Sequence, residues 1–195
     1  MKNILFLFAV VIFACSREHS TENEIISSPS QISENPDSLL YQEQFYRIVK
    51  IGSQTWFAEN LNAMPASGNS WCYGDSEFNC NKYGRLYDWE AANNACPDDW
   101  KLPSKNDYDN LLDYVENRDE GILAGNVLKS SDGWNAIFGG AKLDDSFAML
   151  EQQAYWWSST QSDTQAAYRN IRDDGNLYSG YDKKTRGYSV RCIKK

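Results

Sequence analysis

Hydrophobic and polar residues divide the chain into three segments with different patterns. Residues 4–14 are uninterruptedly apolar (ILFLFAVVIFA), whereas residues 16–44 are rich in Ser, Glu and Asn. All seven tryptophans and all twelve tyrosines lie from Tyr41 onward. Residues 16–40 contain no aromatic side chain, and a polar segment of this kind cannot bury a core. We therefore expect a lipidated N-terminus and disordered tether at residues 15–44. One compact domain is expected at residues 45–195.

Alternation of apolar and polar residues predicts strands at both ends of this domain. Residues 45–51 alternate and are followed by Gly52-Ser53 and by residues 54–57, which together predict a hairpin. The sequence DDGN at residues 173–176 indicates a second hairpin turn and lacks the spaced oxygen ligands of a calcium loop. The other predicted strands lie near Phe147 and at residues 155–158, 166–172, 177–181 and 187–193.

A helical pattern is clearest at residues 104–117. Ser104 and Asp107 have the spacing of a capping box. Four apolar residues then share one helical face: Tyr108, Leu111, Leu112 and Val115. Shorter helices are predicted at residues 88–95 and 121–129, and a loop at residues 60–81. Strands followed by helices and then by more strands indicate an α+β fold with two to three short helices and a twisted antiparallel sheet.

The N-terminal segment has the pattern of a bacterial lipoprotein signal. Its eleven apolar residues are too few for a transmembrane helix and suit the central region of an export signal. Small Ala14 directly precedes Cys15, so we expect residues 1–14 to be removed and Cys15 to carry acyl chains. An ordinary secretory signal cleaved elsewhere is the alternative. The interpretation predicts attachment to the cell envelope, at the outer membrane, through lipid inserted in the bilayer.

The charge of the chain bears on its partners. The formal net charge is −8, which argues against nucleic acid because a phosphate backbone requires a basic face. It also argues against broad contact with anionic lipid headgroups. Solubility alone is a sufficient explanation of the acidity.

Four cysteines lie in the predicted domain: Cys72, Cys80, Cys96 and Cys192. An even number in an exported chain predicts two disulfides, for which three connectivities exist. The eight-residue spacing of Cys72 and Cys80 allows a local loop, and that pairing would leave Cys96 with Cys192. No CxxC pair is present, so we predict no zinc site and no other metal site.

The residues that commonly perform catalysis are scarce in this domain. The one histidine of the sequence, His19, lies in the predicted tether, which excludes a histidine-based triad or metal site from residues 45–195. Oxidised cysteines supply no thiolate nucleophile. Adjacent carboxylates at residues 98–99, 144–145 and 173–174 are typical of solvated turns rather than of two acids facing a cleft. We therefore predict a non-enzymatic protein without a cofactor.

Seven blocks in order resemble one family, the Fibrobacter succinogenes major paralogous domain. They are IGSQTWFAENLN (51–62), CYG (72–74), NCNKYGRLYDWEAA (79–92), ACPDDWKLPS (95–104), GWN (133–135), WWSST (156–160) and GYSVRCIK (187–194). Residues 138–147 depart from the longer glycine-rich stretch that is common there. The resemblance implies a C-type-lectin-like fold, a Cys96–Cys192 disulfide and frequent lipidation. It implies no reaction, although the ACPDDWKLPS block is similar to formylglycine-generating enzymes.

Aromatic side chains are the candidates for ligand binding. Trp56, Trp89, Trp100 and Trp157 lie inside the family blocks and are expected in the core. Trp71, Trp134 and Trp156 lie nearer loops and are the candidates for a surface that stacks on sugar rings.

Calcium-dependent lectins need further motifs that this chain lacks, since Trp134-Asn135 is followed by Ala136. We rank an envelope binding or display module first, with an envelope protein as a conceivable partner. Polysaccharide binding or adhesion ranks second, and an enzyme related to formylglycine-generating enzymes third.

Overall fold

The computed structural model describes residues 34–35, 37–118 and 121–195. The predicted signal at residues 1–14, the lipidation site Cys15, His19 and most of the predicted tether lie outside these residues.

The first sheet contains strands from both ends of the described chain. Its members are β1 (Glu34–Asn35), β2 (Ser38–Tyr41), β3 (Gln44–Ile51), β4 (Gln54–Phe57), β7 (Trp100–Lys101) and β13 (Ile193–Lys194). The strand order is β1-β2-β3-β4-β13-β7, and neighbouring strands are antiparallel. The predicted β3–β4 hairpin is confirmed, and Gly52 has the positive φ of 60° that its turn requires.

The first strands of this sheet correct the predicted domain boundary. Strand β2 pairs with β3 through Leu39 opposite Tyr46, and both side chains are buried. The prediction that the tether extends to residue 44 is therefore wrong at its C-terminal end. Leu39 and Leu40 are too short an apolar run to signal a strand, and Leu39 becomes buried only by pairing with β3.

The second sheet consists of three antiparallel strands. They are β10 (Gln153–Ser162), β11 (Gln165–Arg172) and β12 (Leu177–Lys183). The predicted turn at residues 173–176 joins β11 to β12, which confirms the hairpin. The strand predicted at residues 187–193 is wrong over most of its length. This segment runs between the sheets and makes single bridges, such as Tyr188 with Tyr87 and Ser189 with Trp156.

Four α-helices, one short 3-10 helix and two small two-stranded sheets complete the described fold. The α-helices are α1 (Glu77–Tyr83), α2 (Trp89–Asn94), α3 (Lys105–Arg118) and α4 (Ala124–Leu128), and the 3-10 helix is Tyr73–Asp75. The small sheets pair β5 (Ser70–Trp71) with β6 (Leu86–Tyr87) and β8 (Ala141–Leu143) with β9 (Ser146–Ala148). Helices α2, α3 and α4 were predicted, whereas α1 falls in the segment predicted as a loop. Only Cys80 and Tyr83 of α1 are buried, too few to produce a helical period.

The capping box of α3 is present as predicted. The backbone N–H of Ser104 donates to Asp107 Oδ2 at 2.8 Å, and the Asp107 N–H donates to Ser104 Oγ at 3.1 Å. Burial raises the pKa of the Asp107 carboxyl, but hydrogen bonds from Lys101 and Ser104 outweigh burial and lower it overall. These contacts fix the start of the longest helix beside the second sheet.

The buried side chains form two aromatic clusters. One is built around Trp157 and Tyr188, whose ring centroids lie 4.5 Å apart. In the other, Trp134 lies between Trp56 at 5.9 Å and Trp156 at 4.8 Å. The predicted apolar face of α3 packs against this second cluster.

Two disulfides connect distant parts of this architecture. Cys72 is joined to Cys80, and Cys96 is joined to Cys192. Both pairings agree with the sequence interpretation. The second bridge fastens the segment after α2 to the residue before β13.

Taken together, these elements form an α+β domain with mostly antiparallel sheets and short helices.

Candidate functional site

Two of the three tryptophans predicted as a surface platform are core residues. Trp134 is 2% exposed and Trp156 is 1% exposed. Both pack around Arg191, whose guanidinium carbon lies 4.4 Å from the Trp134 ring centroid and 5.9 Å from that of Trp156. The prediction that they face solvent is wrong because Trp56, α3 and Arg191 cover both rings.

The Arg191 environment is tightly bonded. Asn60 Oδ1 accepts from Arg191 Nη2 at 2.7 Å and from Trp156 Nε1 at 2.8 Å. Arg191 also donates to the carbonyls of Trp134 and Asn135. Burial lowers the pKa of Arg191 to about 9. Arg191 Nε is buried without a partner among the described residues, so the guanidinium stabilises the core through its two Nη groups.

Trp71 is the one predicted platform residue that retains accessible surface, and it is half-buried. Gly187 packs against its ring, because a Cβ added there would lie 3.1 Å from Trp71 Cε3. The Lys142 ammonium lies 5.2 Å from the ring centroid and 5.3 Å from that of Phe147. Lys142 and Gly187 therefore occupy much of the surface that a ligand would need.

The four tryptophans expected in the core divide into two groups. Trp56, Trp100 and Trp157 are buried as predicted. Trp89, however, is only half-buried, so this expectation is wrong for one residue. Trp89 is the first residue of α2, and its ring extends beyond the core to line a concavity between α2 and Lys184.

This concavity, here called the Trp89 groove, is a candidate site that contains an accessible tryptophan. Its volume is about 520 Å³. The lining residues are Asp88, Trp89, Glu90, Asn93, Asn94, Lys184 and Thr185. Aromatic surface beside a few polar groups is the usual composition of a small-ligand site.

Trp89 is held at three points. Its backbone N–H donates to the Lys184 carbonyl at 2.9 Å, and its indole Nε1 donates to the Ser158 carbonyl at 2.8 Å. The Lys184 ammonium lies 4.6 Å from its ring centroid. Lys184 is itself held by Gln161 Oε1 at 2.6 Å and by the Asp163 carbonyl at 2.9 Å. The indole is thus fixed before any ligand arrives. Because the Lys184 ammonium covers part of the ring, as Lys142 covers part of Trp71, a ligand can stack only on the part of Trp89 that lines the groove.

The polar rim of the groove presents mainly acceptors. The amide nitrogens of Asn93 and Asn94 donate to the Trp89 and Glu90 carbonyls, at 2.6 Å and 2.9 Å. Within the described part of the chain, no protein group donates to either amide oxygen. Glu90 adds an exposed carboxylate. A ligand that donates several hydrogen bonds therefore suits this rim.

Asp88 lines the groove, but both of its carboxylate oxygens accept hydrogen bonds that stabilise the fold. Its Oδ1 accepts from the Ala91 N–H at 2.8 Å and caps α2, while its Oδ2 accepts from Asn69 N at 2.9 Å and Nδ2 at 2.7 Å. Asp88 is therefore poorly placed to act as a metal ligand or a catalytic base.

Several possible metal ligands and acid–base groups in the described residues are already engaged in other contacts. Among the described residues, Cys72, Glu77 and Cys80 form the one cluster of three metal-ligating types, but both sulfurs belong to a disulfide. Of the adjacent carboxylates, Asp144 pairs with Arg186 Nη1 at 2.6 Å. Asp174 accepts from the Asn176 N–H in the β11–β12 turn, and hydrogen bonding by the side chain and the backbone of Asn176 lowers the pKa of its carboxyl. These contacts occupy both carboxylates.

Sequence reasoning missed Trp89 as a surface residue. The available signal was its position: it directly follows the N-cap Asp88, and the first turn of a helix often emerges from the core. Its inclusion in a family block led to the expectation that it is buried. That inference fails because such blocks contain both core and surface positions.

The comparisons with known proteins bear on the whole domain. No helix in the described part of the chain is long and apolar enough to cross a membrane. Neither the curated proteins nor the solved structures contain a match to this chain. The model of the Fibrobacter succinogenes major domain matches residues 49–194, which include both sheets from β4 onward, all four helices and both disulfides. The chain therefore belongs to the Fibrobacter succinogenes major domain family.

Proposed function

We propose that this protein is a lipid-anchored component of the bacterial cell envelope whose domain is a non-catalytic, C-type-lectin-like binding module. The apolar run before Cys15 supports the anchor, and outer-membrane attachment is part of the proposal. Both disulfides leave the four domain cysteines without a thiolate, which supports a role other than catalysis. In this proposal the protein contacts the membrane through the acyl chains on Cys15, and it does not bind nucleic acid.

The observation that carries the binding role is the Trp89 groove. A rigid, half-exposed indole lies beside two amide oxygens and a carboxylate. Saccharides combine apolar C–H faces with many hydroxyl donors, so an aromatic surface flanked by acceptors matches them. We infer that the ligand is a polysaccharide segment and that Trp89 stacks on one of its rings.

The binding role is tested with the full chain in non-ionic detergent on a glycan array. We expect retention on at least one glycan and a loss of at least about fivefold in affinity for Trp89→Ala, which corresponds to about 1 kcal/mol of stacking. Phe78→Ala is the matched control, because Phe78 is a 71% exposed aromatic residue of α1.

A second variant separates ligand binding from stability. Thr185 is exposed, so Thr185→Trp should fold and fill the groove without removing Trp89. Ser131→Trp, at an exposed position elsewhere, is its control. Retention that is unchanged in both Trp89→Ala and Thr185→Trp would rule out the groove as the binding surface.

The anchor has its own test. Cys15→Ser should move the protein from the membrane fraction to the soluble fraction after expression in a bacterium that processes lipoproteins, because acyl chains supply the membrane affinity. Mass spectrometry of the native N-terminal peptide should show Cys15 as the first residue with acyl chains. An unmodified Cys15, or cleavage elsewhere, would contradict the proposed anchor.

A further inference from the structure

A second, smaller concavity lies between the start of α3 and strands β11 and β12. Its volume is about 180 Å³. The residues relevant to its chemistry are Lys105, Ser158, Ala167, Arg169, Ser179 and Tyr181. Neither the family match nor the proposed saccharide groove assigns a role to this pocket, here called the Arg169 pocket.

Arg169 is a buried cation with unused hydrogen-bonding capacity. Its side chain is 7% exposed and lines the pocket. Nη2 donates to Asp109 Oδ1 and, at 3.5 Å, to the Lys105 carbonyl. Nε is buried without a partner, and no acceptor in the described part of the chain binds Nη1. Buried donors without acceptors cost stability, so an arginine left half-bonded beside a cavity indicates a missing acceptor.

The local charge favours an anion. Asp109 serves two cations, because its Oδ2 lies 2.8 Å from Lys105 Nζ while its Oδ1 accepts from Arg169. One carboxylate between two cations leaves one positive charge at the pocket. A planar guanidinium matches the two oxygens of a carboxylate better than it matches any neutral group.

The residues that line the rest of the Arg169 pocket indicate which chemical group would accompany a bound carboxylate. In the β11–β12 register, Ser179 lies opposite Arg169 and Tyr181 lies opposite Ala167. Ala167 contributes only a methyl group, which leaves the space above it open. Tyr181 is 46% exposed and borders that space, whereas Ser158 is 1% exposed and its Oγ accepts from the Thr160 N–H at 3.2 Å. The hydroxyls of Ser179 and Tyr181 and the Tyr181 ring suit a hydroxylated ring.

We propose that the Arg169 pocket binds the carboxylate of a small ligand, namely one hexuronic-acid unit of a sugar. The carboxylate accepts from Arg169 Nη1, whereas Nε is too buried to be reached from the pocket. The ring lies over Ala167 beside Tyr181. The proposal goes beyond the Trp89 groove and does not depend on it, since the two sites have no lining residue in common.

Isothermal titration calorimetry of the full chain in non-ionic detergent tests the site, with D-glucuronate, D-glucose and N-acetylalanine as probes. We expect glucuronate to bind at least about tenfold more tightly than glucose, because the carboxylate adds charge-assisted hydrogen bonds. Arg169→Gln and Ala167→Leu should each weaken glucuronate binding by at least about tenfold. Ala167→Leu fills the pocket and leaves every charge in place.

Matched variants decide between outcomes. Tyr178→Ala alters the neighbouring strand position on the opposite face of β12 and should bind glucuronate as the unaltered chain does. Trp89→Ala should also retain this binding, which separates failure here from failure of the saccharide groove. If Ala167→Leu does not fold by circular dichroism, Ser179→Leu fills the pocket from an exposed position.

Three results would overturn the proposal: no binding of glucuronate, equal binding of glucuronate and glucose, or unchanged binding in a folded pocket-filling variant. Tighter binding of N-acetylalanine than of glucuronate would keep the carboxylate site but replace the sugar acid with an amino-acid carboxylate.

Discussion

At the scale of single residues, Arg191 is the most constrained side chain of the core. It is completely buried, and its hydrogen-bond acceptors in the described chain are all neutral: Asn60 Oδ1 and the carbonyls of Trp134 and Asn135. Burying a charge without a carboxylate partner is unfavourable because the charge loses its hydration. This loss lowers the pKa of Arg191. The compensation comes from the acceptors and from the Trp134 ring.

Arg191→Ala should lower the free energy of unfolding by about 3 kcal/mol or more, because it removes the side-chain donor of the Trp134 and Asn135 carbonyls and one of the two donors of Asn60 Oδ1, and because it creates a cavity. Urea denaturation followed by tryptophan fluorescence measures the change. Lys50→Ala, at an exposed position, should change stability by less than about 0.5 kcal/mol. Equal effects of the two substitutions would show that the Arg191 contacts contribute nothing net.

At the scale of elements, the regular patterns were predicted and the long-range contacts were not. Helix α3 has its own hydrophobic period and capping box, and the β3–β4 hairpin has its own alternation and turn, so local sequence is enough to predict both elements. The burial of Trp134 and Trp156 depends on Arg191, which is more than thirty residues away from either ring. The half-exposure of Trp89 likewise depends on where Lys184 and Ser158 lie, which no local pattern indicates.

Strand β2 is the element whose role is easiest to test. A chain beginning at residue 34 should retain the full free energy of unfolding of the domain, whereas one beginning at residue 45 should lose about 2 kcal/mol or more. The loss arises because Leu39 is removed and Tyr46 becomes exposed. Thermal unfolding of the two purified chains measures the difference. Equal midpoints would mean that β2 adds nothing to the fold.

At the scale of the whole molecule, the two sheets are joined by the segment at residues 187–192. The Cys192 carbonyl accepts from the Phe57 N–H of β4 in the first sheet, and Ser189 bonds Tyr155 and Trp157 of β10 in the second. The Cys96–Cys192 disulfide then fixes the end of this segment beside β13. The Trp89 groove is formed mainly by α2 and the residues after β12, and the Arg169 pocket by the middle of β11 and β12 and the start of α3.

The disulfides should differ in their contribution to stability. Replacing Cys96 and Cys192 by Ser should lower the free energy of unfolding by roughly 4 kcal/mol, because the bridge closes a loop of 96 residues. Replacing Cys72 and Cys80, which close an eight-residue separation, should cost less and serves as the matched control. Denaturant unfolding of both double variants measures the order, and a larger loss from the short bridge would contradict it.

The central position of β13 has a consequence for biosynthesis. Ile193 pairs with Trp56 of β4 on one side and with Lys101 of β7 on the other. The first sheet therefore cannot close until residues 193–194 have been synthesised, and contacts of such large sequence separation form late. A growing chain remains unable to complete its fold while it emerges from the ribosome. That property agrees with the export proposed above, because a chain that has not closed its first sheet can still pass through a membrane channel before its cysteines oxidise.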